Sequence, residues 1–274
     1  RSPALVVVDE AHRAIAPTYT SILEQLGLTS RRTDRPLIGL TATPYRGENE
    51  AETKRLVERF GTKRLDDDLF ATDDHYAELQ AIGVLAKVDH QELMGATIRL
   101  DTAQLTETER FGVLPASAEA ELAADTDRNE RILASIIALP EDWPILLFAT
   151  SVNHAKLLTA LLNDRGVGAA SIDGSTPMPE RRSKIEAYRC SRRRRVLANY
   201  GVLAQGFDAP TTRAVVIARP TYSPNVYQQM VGRGLRGPRN GGGETCLILD
   251  VHDNIANYRR ELAFTAFEHL WRRE

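Results

Sequence analysis

The 274 residues carry 42% hydrophobic and 26% charged side chains, an ordinary globular composition with length enough for two domains, each with its own core. A formal charge of −2 excludes a uniformly basic nucleic-acid coat and leaves room for a local basic track. Two distant cysteines, Cys190 and Cys246, exclude a disulfide framework and a cysteine zinc site; no apolar run approaches the length of a membrane span, so a cytoplasmic chain with no membrane partner is expected.

The apolar run Ala4-Leu5-Val6-Val7-Val8 leads straight into Asp9-Glu10-Ala11-His12. Such a run, without alternation, predicts a parallel strand buried on both faces. In open α/β sheets chemistry gathers beyond the carboxyl ends of strands. A carboxylate pair there suits a nucleotide-hydrolysing site, one group holding Mg²⁺ and the other orienting or deprotonating water. Arg1 lies close before this strand and no Met begins the chain, so a piece of a longer protein is expected.

The pattern predicts a helix over 18–28 closed by Gly27, a basic loop at 31–35, and a second strand over 36–40 ending in Thr41-Ala42-Thr43-Pro44, where Pro44 forces a turn. A helix follows over 51–60, and Asp66-Asp67-Asp68 reads as a solvated loop without partner metal ligands. Residues 75–82 read as a helix stopped by Gly83, and 84–93 as a strand. The Ala-, Glu- and Thr-rich stretch 101–128 reads as a connector or inserted helical segment.

From Asn129 a second α/β unit begins. Helices are predicted over 131–139, 154–162, 180–188 and from 224, and strands over 144–149, 169–173, 195–199, 214–218 and 247–250. This alternation predicts a mostly parallel, doubly wound sheet. Gly206-Phe207-Asp208-Ala209-Pro210 is a turn in which Gly206 permits close backbone approach and Asp208 can accept from a sugar hydroxyl. Tyr227 to Arg236 contains Gln229, Gly232, Arg233 and Arg236 in the pattern Q-x-x-G-R-x-x-R. If the helix continues, Arg233 and Arg236 share a face, and two rigid guanidinium forks suit a phosphate whose charge grows in a transition state.

In this order Asp-Glu-Ala-His, Thr-Ala-Thr, Gly-Phe-Asp and Q-x-x-G-R-x-x-R resemble motifs II, III, V and VI of superfamily 2 DNA/RNA helicases, with residues 146–151 where motif IV would fall. The segments 37–46 and 79–85 look most like the branch containing restriction-enzyme motors and bacterial repair helicases. The resemblance implies two RecA-like lobes that sandwich ATP, the first truncated at its N-terminus. By it, residues 1–65 form the latter part of lobe one, 66–128 a connector, 129–252 lobe two, and 253–274 a C-terminal helix.

The same resemblance implies a role for each matching residue. Asp9 would hold Mg²⁺, Glu10 would act as general base, and His12 would link the nucleotide to the second lobe. Thr41 and Thr43 would couple hydrolysis to movement. Gly206, Asp208 and Gly232 would meet the nucleotide, and Gln229, Arg233 and Arg236 would complete the catalytic set. Nucleic acid, DNA ahead of RNA, would be held through phosphates at the strand ends carrying Thr150, Ser151, Gly174 and Ser175. Tyr200 is a further candidate nucleic-acid contact, standing where many relatives carry Thr, and the arginine run 192–195 reads as either a solvated turn or a phosphate track.

No G-x-x-x-x-G-K-[S/T] occurs, so these residues alone are expected neither to bind ATP well nor to hydrolyse it. The expected function is an ATP-dependent helicase or translocase of which this chain is a part. The alternatives are a non-catalytic nucleic-acid-binding module and the motor part of a restriction or defence nuclease.

Overall fold

A computed structural model of the chain describes residues 3–28, 36–41, 50–61, 70–71, 74–111, 113–191, 195–202 and 207–256. The chain divides into two compact units, residues 1–73 and 74–274.

In the first unit the opening run forms β1 (Val6–Asp9), which a 3-10 turn (Ala11–Arg13) connects to α1 (Pro17–Gln25). Pro17 starts α1 without loss, because the first turn of a helix leaves its amides unpaired. β2 (Leu37–Leu40) pairs with β1 in parallel, Val6 opposite Leu37 and Asp9 opposite Leu40, and α2 (Glu50–Arg59) follows. Val8, Ala11, Ala14, Ile15, Leu23, Leu28 and Leu56 make a small core. The prediction of a strand buried on both faces is corrected here. Strand side chains alternate, and while Val8 enters the core, Val7 stays 52% exposed, since among the described residues only one face of this two-stranded sheet is covered.

The second unit opens with α3 (His75–Ala81), whose Asp74 cap accepts from the Ala77 amide, and continues through β3 (Lys87–Ile98), α4 (Thr102–Phe111), α5 (Ala116–Ala124) and α6 (Thr126–Ala138). β4 (Pro144–Phe148), α7 (Val152–Asp164), β5 (Gly168–Ile172), α8 (Met178–Arg189), β6 (Arg195–Asn199), β7 (Ala214–Ile217), α9 (Pro224–Val231) and β8 (Thr245–Ile255) complete it. Its sheet has the order β3-β8-β7-β4-β6-β5 with every pair parallel. The period of two sorts β4 between two layers. Ile145, Leu147 and Ala149 meet Ile132, Leu133 and Ile136 of α6 and Leu158 of α7, while Leu146 and Phe148 share the opposite core with Leu122 of α5 and Tyr227 and Met230 of α9. Helices thus cover both faces, as the pattern predicts.

The expected boundaries change. The units divide after residue 73 rather than 65. Residues 74–128 are no connector, because β3 pairs with β8 along its length and α5 and α6 pack in the same unit. The polar, weakly patterned sequence of β3 concealed this, its outward positions being exposed at a sheet edge. Residues 253–255 end β8 instead of opening a helix, and the rest of that expected helix, 257–274, lies outside the described residues.

Two buried polar clusters tie the layers together. Arg128 of α6 is fully buried; its Nε donates to Asp253 Oδ1 at 2.7 Å and its Nη2 to Asp253 Oδ2 at 2.8 Å and to the Ala218 carbonyl at 2.5 Å. Asp253 also accepts from the Ala96 amide, so one carboxylate joins α6, β3 and β8. In the second cluster the Thr150 amide and hydroxyl reach His154 Nδ1 at 3.2 and 2.8 Å. An amide only donates, so Nδ1 is the acceptor and Nε2–H donates to Asn129 Oδ1 at 2.9 Å. Burial, with the nearby Arg128 charge adding to it, lowers the His154 pKa to about 3 and keeps the ring neutral.

Arg128→Met is expected to cost about 3–5 kcal/mol in urea unfolding, because Asp253 keeps an uncompensated buried charge; adding Asp253→Asn should recover part of the loss. For His154 the folded pKa lies below the unfolded value, so its contribution is complete above pH about 6.5 and is lost as pH falls toward 3. Between pH 6.5 and 4.5 this amounts to about 2–3 kcal/mol. Urea midpoints across that range should show a steeper acid loss for the wild type than for His154→Gln.

Candidate functional site

In the first unit the site is built on the turn that leaves β1. Glu10 has φ 51° and ψ 49°, and among the described residues it is the one non-glycine with positive φ. A β-carbon is crowded in that region, and the Glu10 amide turned back onto Asp9 Oδ1 at 2.8 Å helps to hold it there. The parallel register places Asp9 opposite Leu40, which brings Thr41 beside the acidic turn. His12, only 5% exposed, bridges them: its Nδ1 lies 3.1 Å from Thr41 Oγ1 and 3.4 Å from Glu10 Oε2. The two acidic residues, His12 and Thr41 are therefore one assembly within this unit. Thr43 lies outside the described residues.

A Mg²⁺ ion carried with a nucleotide needs one or two protein carboxylates, with phosphate oxygens and water filling its octahedron. Asp9, exposed at the strand end, fits that requirement. No cluster of three ligating side chains among the described residues offers an all-protein cage.

In the second unit the arginine motif is arranged differently from the expectation. Helix α9 ends at Val231, and residues 232–234 form a turn, so Arg233 and Arg236 do not share a helical face. Backbone contacts position them instead. The amide of Ala86 donates to the Leu235 carbonyl, that of Gly237 to the Val84 carbonyl, and that of Arg239 to the Gly83 carbonyl, each at 2.9–3.0 Å. Arg236 forms an antiparallel bridge with Leu85. A β-carbon on Gly237 would come within 2.4 Å of the Gly83 carbonyl, and one on Gly234 within 2.4 Å of Cys246 Sγ. Close approach of the backbone is what those glycines provide.

The guanidiniums then turn to the 207–208 turn. Arg233 Nη1 donates to the Phe207 carbonyl at 2.5 Å, and Arg236 Nε donates to Asp208 Oδ1 at 3.1 Å. The structure thus joins two predicted motifs, with Gly232 as the C-cap of α9 and the Gln229 carbonyl accepting from Arg233 Nε. Gly206 lies outside the described residues. The helix bearing the motif is anchored by Tyr227, whose hydroxyl donates to buried Asp250 at 2.6 Å; His90 Nε2 lies 2.5 Å from the same oxygen. Burial pushes the Asp250 pKa up, and the bonds from His90 and Tyr227 oppose it.

The predicted nucleic-acid contacts gather at one edge, the carboxyl ends of the parallel strands. Thr150 is a correction: it is fully buried and its hydroxyl is engaged by His154, so its side chain serves the interior. Ser151 caps α7, accepting from the His154 amide. Gly174 is exposed with open space about it, while the Ser175 hydroxyl and amide both donate to Asp173 Oδ1 and hold that carboxyl below its usual range. Residues 192–194 of the arginine run lie outside the described residues, and Arg195 begins β6.

Tyr200 has partners that the sequence did not suggest. Its hydroxyl donates to Glu119 Oε2 at 3.2 Å, Arg219 Nε donates to Glu119 Oε1 at 3.3 Å, and the Arg219 guanidinium lies 4.8 Å from the Tyr200 ring centre. Burial raises the Glu119 pKa, against the Arg219 charge and both hydrogen bonds. Arg219 could have been noticed as a cation directly following an apolar strand. Glu119, within an alanine-rich helix, had no such signal.

Residues 128–237 match the model of the helicase conserved C-terminal domain. The chain is 26% identical over 253 residues to the Saccharomyces cerevisiae protein named "Putative ATP-dependent helicase IRC3", a match covering 90% of this chain and 33% of that protein. The chain therefore spans about a third of that relative's length. Its fold is similar to a fragment of a "putative HsdR subunit of a type I restriction enzyme" from Vibrio vulnificus YJ016 (TM-score 0.60, 20% identity, 90% of this chain and 43% of the other). It is also similar in fold to S. cerevisiae Dbp5 bound to RNA and ADP BeF3 (TM-score 0.57, 15% identity, 97% and 57%). The chain thus has an α/β fold with parallel sheets, similar in fold to these solved structures, and its residues 128–237 are similar to the helicase conserved C-terminal domain.

Proposed function

We propose that the chain is part of an ATP-dependent motor that moves on nucleic acid, with ATP hydrolysis coupled to translocation or strand separation. The observation that carries this reading is the backbone of Glu10. A left-handed conformation at a residue with a β-carbon costs of order 1–3 kcal/mol and persists where the surroundings enforce it, a pattern that clusters at functional sites. Here the surroundings are Asp9 and the His12–Thr41 pair.

In the proposed chemistry Mg²⁺-bound ATP supplies the phosphoryl group whose transfer to water releases the driving free energy. Asp9 holds the cation, and Glu10 orients the attacking water and accepts its proton. His12 ties Glu10 to Thr41, so a shift at the acidic turn reaches the end of β2. Asp208 meets the nucleotide sugar and Gly232 lets the backbone approach it. Arg233 and Arg236, with Gln229 on the helix before them, stabilise charge on the phosphate. Thr43 and Gly206 keep the coupling and nucleotide roles the motifs give them. The 37–46 and 79–85 segments support the restriction-motor and repair-helicase branch, which makes DNA the first substrate to assay and RNA the second, in a cytoplasmic setting.

The phosphate loop such an enzyme uses is not among the 274 residues, so turnover is to be measured in the natural polypeptide. Glu10→Gln should lower nucleic-acid-stimulated ATPase kcat by about 10²–10⁴-fold while leaving oligonucleotide affinity unchanged. Arg236→Ala should lower kcat by about 10³–10⁵-fold, and Arg236→Lys should restore little, because a lysine lacks the planar fork. Wild-type turnover in Glu10→Gln would sink the catalytic reading.

A further inference from the structure

The Glu119, Tyr200 and Arg219 cluster lies where the predicted nucleic-acid contacts do, and none of the motif assignments uses Arg219. It follows the carboxyl end of β7, while Tyr200 follows that of β6, and β4 with Ser151 beyond it lies between them in the sheet. The arrangement restrains one guanidinium from two sides. Glu119 takes its Nε hydrogen bond, and the Tyr200 ring lies beneath it as a cation–π partner. The Tyr200 hydroxyl donates to the same carboxylate, so ring and carboxylate orient each other.

What remains of Arg219 is the end of its fork. Among the described residues no hydrogen-bond partner engages Nη1 or Nη2, and the side chain is 26% exposed against 9% for Glu119. The carboxylate is thus turned inward and the donors outward. A side chain kept only as a tie between α5 and β7 has no use for a stacked, pre-oriented pair of outward donors. A phosphate needs such a pair, because a planar fork can give it two parallel hydrogen bonds with little further ordering cost.

We propose that Arg219, oriented by Glu119 and Tyr200, is a phosphate contact for a nucleic-acid strand crossing the carboxyl edge of this sheet, at the strand end next to that of Ser151 and on the same edge as Gly174. The inference rests on the nucleic-acid reading above and deepens it. It also gives Tyr200 its part: in place of the small hydroxyl side chain that the motif resemblance leads one to look for, the aromatic ring positions an arginine.

The test is fluorescence anisotropy of labelled oligo-dT and oligo-U with the full chain across a salt series. Arg219→Ala should weaken binding about three- to tenfold and reduce the slope of log K against log salt by about one, the loss of a single phosphate contact. Arg219→Lys should restore the slope with intermediate affinity, since it keeps the charge and loses both the Nε bond and the stacked plane. Should Arg219→Ala lose its native circular dichroism, Arg219→Gln repeats the measurement with a side chain of similar length. A wild-type slope and affinity in the folded neutral variant, with only its melting temperature changed, overturns the proposal and leaves the nucleic-acid reading intact. Absence of any salt-dependent binding by the wild type overturns both.

Discussion

The six described strands of the second unit all run in the same direction, and this constraint places their carboxyl ends on one edge. Parallel pairing requires a crossover between successive strands, so each of β3 to β7 opens into a connecting turn, followed by a helix after β3, β4, β5 and β7. Ser151, Gly174, Tyr200 and Arg219 come from four different turns of that kind, and they share an edge because the sheet leaves no alternative. The same geometry in miniature operates in the first unit, where the β1–β2 register sets Thr41 beside Asp9 and Glu10. Residues distant in the chain become neighbours through strand direction first, and through side-chain contact second.

Direction alone does not fix the helices on that frame. Apolar burial of Leu, Ile and Val side chains is worth about 1.5–3 kcal/mol each and is indifferent to small rotations. Buried polar groups are not indifferent, since an unmet hydrogen bond in the interior costs about 1–3 kcal/mol. Arg128 on Asp253, His154 between Thr150 and Asn129, and Tyr227 on Asp250 each join a helix to a specific strand or strand end. Tyr227 bears most directly on function, because α9 leads into the turn that carries Arg233 and Arg236.

The alternation of apolar strands and amphipathic helices from residue 129 onward is legible in the sequence, because strands buried on both faces have strong composition signals: β4 and β7 are wholly apolar and buried, and β6 has a buried Val196-Leu197-Ala198 centre. β3 is the counterexample. It lies at an edge, alternates polar residues outward, and so reads as a weak segment attached to a connector. The motif residues were legible as types, but their geometry was not. Helical spacing suggested a shared face for Arg233 and Arg236, whereas the arginines depend on backbone pairing with residues 83–86, some 150 positions earlier. Long-range pairing of that kind leaves no local periodicity to read, and Glu119 went unseen for the same reason.

The two arginines differ in what holds them, and the difference bears on how a phosphate could recruit them. Arg236 is bound to Asp208 at a place where both side chains are about half exposed. Such a pair contributes about 0–1 kcal/mol, so exchanging the carboxylate for a phosphate costs little. Arg233 donates to the Phe207 carbonyl and to the carbonyl of Gln229, in the helix just before it, in a part-buried setting. Removing it would leave those acceptors to find other donors, at a larger cost. In the proposed motor Arg236 is therefore the arginine free to swing with the nucleotide state, and Arg233 is the one that keeps the Phe207 and Asp208 turn in place while it does so.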